Sequence, residues 1–142
     1  MKRVLPWIAA ALLAGCMSSV PSLPSSPQRL DASAVRALFA DHTVESYNRN
    51  NQLTSFTYYH PDGRVLQQRF WSYRAGSWRV LPDGRICLKF TRERCRPIER
   101  VGGVYYKVVP RKGRAVRYRQ FLPGNRLLAK GASWPRGPQF HP

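Results

Sequence analysis

Acidic residues are scarce in this chain. Its 142 residues include 7 Asp and Glu against 24 Lys and Arg, a formal charge of +17. An excess of this size leaves a positive field over much of the surface, which favours acidic partners. Arginine outnumbers lysine, and its planar fork suits phosphate and carboxylate better than a point charge does. A GC-rich genome gives the same bias, so composition alone does not turn the surface into a site. Histidine is rarer still: His42, His60 and His141 stand far apart and form no HxH or HExxH pattern, which argues against a metal centre. No GxSxG, P-loop or GxGxxG sequence occurs. An acid–base pair would have to be assembled from Glu45, Asp62, Asp83, Glu93 and Glu99. Asp62 and Asp83 sit in turn positions, where aspartate is a structural choice. The expectation is a protein that is not an enzyme and carries no metal or cofactor. No run reaches the roughly 20 apolar residues needed to cross a bilayer.

What the chain has is strands. The stretch from Gly76 to Cys95 holds two short apolar runs, Trp78 to Leu81 and Ile86 to Phe90, on either side of Pro82-Asp83-Gly84-Arg85. Proline and glycine there supply the dihedrals of a hairpin turn. A second reversal at Thr91-Arg92-Glu93-Arg94 returns Cys95 towards Cys87. Period-two runs predict strands at about Thr43 to Tyr47, Thr54 to His60, Val65 to Trp71 and Ser77 to Leu81. Others follow at Ile86 to Phe90, Arg96 to Arg100, Val104 to Val109 and Ala115 to Leu122. One helix is predicted from Leu30 to Ala40, with Asp31 or Ser33 as N-cap and Val35, Leu38 and Phe39 on one apolar face. The fold class is therefore mainly β (α+β): an antiparallel meander or half-open barrel of about seven or eight strands with one N-terminal helix.

The first residues give an address. Lys2 and Arg3 form a positive start, Val4 to Ala14 an apolar segment, and Leu13-Ala14-Gly15-Cys16 a small-residue cleavage site. This order resembles the leader and lipobox of bacterial lipoproteins, which implies cleavage before Cys16 and lipidation of Cys16. Several acyl chains, each contributing roughly 0.8 kcal/mol per buried methylene, hold a protein to a membrane stably. Losing Lys2 and Arg3 takes two charges from +17 and leaves +15 on the mature chain. By the same resemblance to bacterial lipoproteins, Met17 in place of an aspartate after the cysteine implies the outer membrane, facing the periplasm. The domain plan is then a signal peptide over 1–15, a lipidated Ser/Pro tether over 16–29, one globular domain over 30–130 and a flexible tail over 131–142. That tail is expected to be disordered, with folding back or service as a peptide-like ligand the alternatives for Trp134 and Phe140.

With Cys16 consumed by lipid, Cys87 and Cys95 remain to pair. An oxidising compartment favours a disulfide, and closing so short a loop contributes roughly 2.5 kcal/mol in the chain-entropy picture. A redox-active pair or half a metal site would need CxxC spacing or nearby histidines, and neither is present. The set Leu38-Phe39, Thr43-Val44-Glu45, Tyr58 to Gly63, Trp78-Arg79-Val80, Asp83 to Cys87 and Cys95 resembles a loose group of small proteobacterial envelope proteins. That resemblance implies the fold and the compartment and carries no activity with it.

Two basic clusters are candidate binding residues. Arg111, Lys112 and Arg114 lead into a strand whose alternation sets Arg117 and Arg119 on one face and Val116 and Tyr118 on the other. Arg92, Arg94, Arg96 and Arg100 surround Cys95. These suit anionic lipid, lipopolysaccharide or another polyanion, or else serve solubility as a solvated face. Aromatics interleaved with arginine suit single-stranded nucleic acid, but export disfavours that partner. The leading expectation is a non-catalytic lipid-anchored envelope protein contacting an acidic envelope component. The alternative is a protein-binding module or an inhibitor of an envelope or imported enzyme, its protein partner unknown. Inhibition of lysozyme itself is disfavoured by like charge.

Overall fold

The computed structural model describes residues 26–128, 130 and 132–134. The leader, Cys16 and the tether as far as residue 25 lie outside the described residues, as does the tail beyond residue 134 with Phe140. In chain order the elements are β1 (Gln28–Arg29), α1 (Ala32–Phe39), β2 (His42–Asn48), β3 (Leu53–Tyr59), β4 (Arg64–Arg69) and β5 (Ser72–Val80). They continue with β6 (Ile86–Lys89), β7 (Glu93–Arg96), β8 (Ile98–Val101), β9 (Val104–Val109) and β10 (Gly113–Pro123). The strands form one 10-stranded sheet in the order β1-β8-β9-β10-β2-β3-β4-β5-β6-β7, antiparallel at every junction.

The mainly β class with one N-terminal helix is as expected, and the strand count is higher for local reasons. Gln28–Arg29, placed by composition at the end of the tether, pair with Arg100 and Glu99. Glu93 and Arg94, expected in a reversal, belong to a strand whose rungs join Lys89 to Glu93 and Leu88 to Arg94. Pro97 divides the single strand expected from Arg96 to Arg100. Proline offers no N–H to a ladder, so the chain bends there and changes neighbour: β7 pairs with β6, and β8 with β9. One bent stretch thus joins both ends of the sheet, which curls into a half-open barrel. The Val108 N–H donates to the Pro97 carbonyl at 3.0 Å. Towards Glu93 no ladder joins β7 to β9, and the wall is split.

The helix stops one end of the barrel. Asp31 is its N-cap, accepting from the Ala34 N–H at 2.8 Å. Val35 and Phe39 are fully buried, and eight residues are too few for a helix to stand without such packing. Phe39 lies edge-on to Tyr59, Tyr118 and Phe121 at 5.0, 5.1 and 5.5 Å between ring centres. Val44, Val65, Trp78, Ile86 and Ile98 complete this apolar half of the interior. Gly84 (φ +89) lets the β5–β6 turn close against the entry to the helix, because a Cβ there would run into the Leu30 carbonyl.

Beyond β10 the chain crosses the outer face of the sheet. Thr43 Oγ1 donates to the Gly124 carbonyl at 2.7 Å and accepts from the Arg126 N–H at 2.9 Å. Trp134 packs against Tyr58 and His60, with the Arg64 guanidinium 4.6 Å from its ring centre.

Candidate functional site

The other half of the interior is polar. Lys107 on β9 pairs with Val116 and Ile98, so strand alternation carries its side chain to the face that buries those two residues. Gln67 on β4 stands opposite Arg74 on β5. Ile86 and Leu88 of β6 stand opposite Arg96 and Arg94 of β7. These positions converge on a cavity of about 380 Å³ at the end of the barrel away from the helix. Seven cations line it: Arg69, Arg74, Arg92, Arg94, Arg96, Lys107 and Lys112. Asn48, Asn50, Gln67 and Thr91 add neutral polar groups, and no carboxylate is among the lining residues.

The cavity wall is held by a short relay. Arg74 Nε donates to Gln67 Oε1 at 2.8 Å, and Gln67 Nε2 donates to Thr57 Oγ1 at 2.9 Å. The Arg74 guanidinium also lies 3.8 Å from the centre of the Phe90 ring, a cation–π contact. Gly76 makes that placement possible, since a Cβ there would meet the Lys89 carbonyl and crowd Phe90. Arg74 is thus fixed in the wall, its fork set by an amide and an aromatic ring where a carboxylate would be the ordinary partner.

The electrostatics follow from the missing counter-charge. Burial, and then Arg96, Arg74 and Arg94, push the Lys107 ammonium down to about 8. Burial, followed by Arg69 and Arg94, lowers Arg74 to about 10. Each cation raises the cost of its neighbours, and an entering anion would relieve them together.

The carboxylates are engaged elsewhere, all 7 of them. Asp31 caps the helix and Asp41 accepts from the Tyr58 hydroxyl. Asp62, Asp83, Glu93, Glu99 and Glu45 pair with Arg64, Arg85, Arg79, Arg114 and Arg119. The Arg64 and Arg85 backbone N–H groups hold Asp62 and Asp83 below the usual carboxylate range, and Arg79 does the same for Glu93.

The first basic cluster is dispersed by the structure. Arg117 and Arg119 are exposed, opposite in direction to buried Val116 and Tyr118. Arg119 stacks on Tyr47 at 4.2 Å and faces Glu45 at 3.6 Å. Arg114 is held by Glu99 at 2.9 Å, and Arg111 is exposed in the β9–β10 turn. Of that group Lys112 alone reaches the cavity, whereas Arg92, Arg94 and Arg96 of the second cluster all line it. Arg69, Arg74 and Lys107 fall outside both sequence clusters, because each stands several residues from the next cation in the chain. The available signal was a cation on the inward face, as with Lys107 between Tyr105 and Val109.

Cys87 and Cys95 are direct cross-strand partners and form a disulfide. They and Glu93 make the one group of metal-ligand type among the described residues. Both sulfurs are in the bridge, and Glu93 accepts two bonds from Arg79 at 3.0 and 2.6 Å. His60 Nδ1 lies 2.7 Å from Asp62, and His42 Nδ1 lies 2.8 Å from the Ala40 carbonyl, both at the helix end. No helix among the described residues is long and apolar enough to cross a membrane. No protein-family model, curated protein or solved structure matches the chain.

Proposed function

We propose that this protein is a non-catalytic, lipid-anchored envelope protein, held by Cys16 and facing the periplasm, that binds an acidic envelope component in the cationic half of its barrel. One observation carries the reading: seven cations surround a cavity of about 380 Å³ with no carboxylate among them. Arg69, Arg74, Arg96 and Lys107 are half-buried and Arg92, Arg94 and Lys112 are exposed at the rim. Partly desolvated charge without a counter-charge is costly, and an anionic ligand offsets that cost. Arginine forks beside asparagine and glutamine amides suit phosphate or carboxylate oxygens.

Lys107, lowered to about 8, has the character of a nucleophilic amine. No histidine, tyrosine or carboxylate lines the cavity to move a proton beside it, and binding is the function these groups support. The lipid anchor and the compartment rest on the Leu13 to Cys16 lipobox.

The test is calorimetric titration of inorganic pyrophosphate into the mature chain from residue 16 carrying Cys16→Ser. Arg74→Gln and Lys107→Gln should each weaken binding about tenfold, as expected for one charge-assisted contact of 1.5–3 kcal/mol. Arg117→Gln on the outer face should leave it unchanged, and added salt should weaken it throughout. Binding that survives both cavity substitutions but falls with Arg117→Gln would move the site to the outer strand.

A further inference from the structure

Two large apolar side chains stand out to solvent, Phe70 at 63% exposed and Trp71 at 72%. They form the tip of the β4–β5 reversal, their ring centres 5.7 Å apart. Phe70 has φ 54, a conformation a bulky residue adopts at a cost, where glycine or asparagine would be the cheaper choice. Leu53 and Phe56 of the adjoining strand line a groove with Phe70, together with Gln52, Thr54 and Gln68. Nothing in the core requires these two rings.

The surroundings identify what the tip meets. The reversals at 49–52, 70–71, 90–92 and 110–112 all close the cavity end of the barrel. None contains an acidic residue, and Arg49, Arg92, Arg111 and Lys112 on them are exposed. Glu93, the first residue of β7, is taken up by Arg79. The four aspartates lie at the opposite end, at the helix cap and the turns beside it. An aromatic tip on a purely cationic rim is the chemistry of a membrane–water interface, where tryptophan sits at headgroup depth and lysine and arginine hold phosphates.

We propose that this rim docks on an anionic lipid bilayer, with Phe70 and Trp71 entering the headgroup–acyl boundary and the cavity mouth facing the lipid phosphates. The cationic half of this surface rests on the anion-binding reading; the aromatic half stands apart from it. The partner of the cavity is then a phosphate-bearing lipid headgroup presented by the bilayer.

The experiment uses the mature chain with Cys16→Ser, sedimented with vesicles of phosphatidylcholine containing phosphatidylglycerol or of phosphatidylcholine alone. Binding should favour the anionic vesicles by about tenfold or more, since each cation near such a surface contributes roughly fivefold. Lipids brominated near the headgroup should quench Trp71 emission, with Trp71→Phe as the control. Phe70→Ser/Trp71→Ser should lower vesicle binding about tenfold while thermal midpoint and pyrophosphate binding are kept. The proposal is overturned if the double variant binds vesicles as the parent does, if bromolipids leave emission unchanged, or if the parent is a dimer that the double variant converts to monomer. Pyrophosphate binding without vesicle binding would sink the docking surface and leave the cavity reading standing. Vesicle binding that depends on the tip, without pyrophosphate binding, would do the reverse.

Discussion

Lys107 shows at a single position what the cavity costs the fold. Its ammonium is lowered from 10.5 to about 8 by burial and by Arg96, Arg74 and Arg94. Below about pH 8 folded and unfolded chains both carry the charge, and the folded state bears the whole cost of holding it there. Between about 8 and 10.5 the unfolded chain binds more protons than the folded one, so stability rises with pH and then levels off. Lys107→Met should therefore stabilise the protein at pH 7 by something on the order of 2 kcal/mol. The advantage should shrink as the pH approaches 10.5. Urea unfolding of both chains at pH 7 and pH 9.5 measures it, and a difference that does not change with pH would show that Lys107 keeps an ordinary ammonium. An anion in the cavity acts in the opposite sense. It holds the proton on Lys107, so its affinity should decline above about pH 8.

At the scale of elements, β7 is the exposed flank of the site. It carries Arg94 and Arg96, pairs with β6 alone, and diverges from β9 past Pro97. The Cys87–Cys95 bridge ties it to β6 across a direct rung. Replacing both cysteines with alanine should cost about 2–3 kcal/mol on unfolding. It should also weaken pyrophosphate binding, because the two arginines lose the wall that aims them. Thermal melts and titrations with and without dithiothreitol would show both effects in the parent and neither in the double variant. Binding untouched by reduction would mean that the four-residue ladder with β6 holds β7 without the bridge. The bridge and most ladders were legible in the sequence, since turn residues and period-two runs are local signals: Pro82 to Arg85 and Cys87 to Cys95 announced themselves. The seam was not. That β7 and β8 are one bent stretch joining the two ends of the sheet depends on pairing between Ile98 and Lys107 and between Ile86 and Arg96. No local pattern encodes it. The cavity was hidden for the same reason, because Lys107 of β9 meets Arg69 and Arg74 of the β4–β5 hairpin only once the sheet has curled.

Across the whole molecule, charge is sorted along the barrel. All four aspartates cluster at the helix end, and the three glutamates are taken by arginines of the outer face or sheet wall. The opposite end is left with cations. A chain of 7 acids and 24 bases must leave many bases unpaired, but nothing in that arithmetic requires Arg69, Arg74, Arg96 and Lys107 to stand half-buried in a cavity wall, where each costs more than on the surface. Solubility alone would have left them outside, as with Arg117. If the arrangement exists for a ligand, one carboxylate placed inside should improve the fold and weaken the binding. Gln67 is the position for it, because its Oε1 already accepts from Arg74 at 2.8 Å and the Thr57 hydroxyl can donate in turn to the new oxygen. Gln67→Glu should raise the thermal midpoint by several degrees, the size of shift that 1 kcal/mol produces in a domain of about 100 residues. It should also lower pyrophosphate and anionic-vesicle binding about tenfold, through loss of one favourable charge interaction. A variant that is more stable and still binds as the parent does would mean that the interior cations are tolerated by the fold without being used.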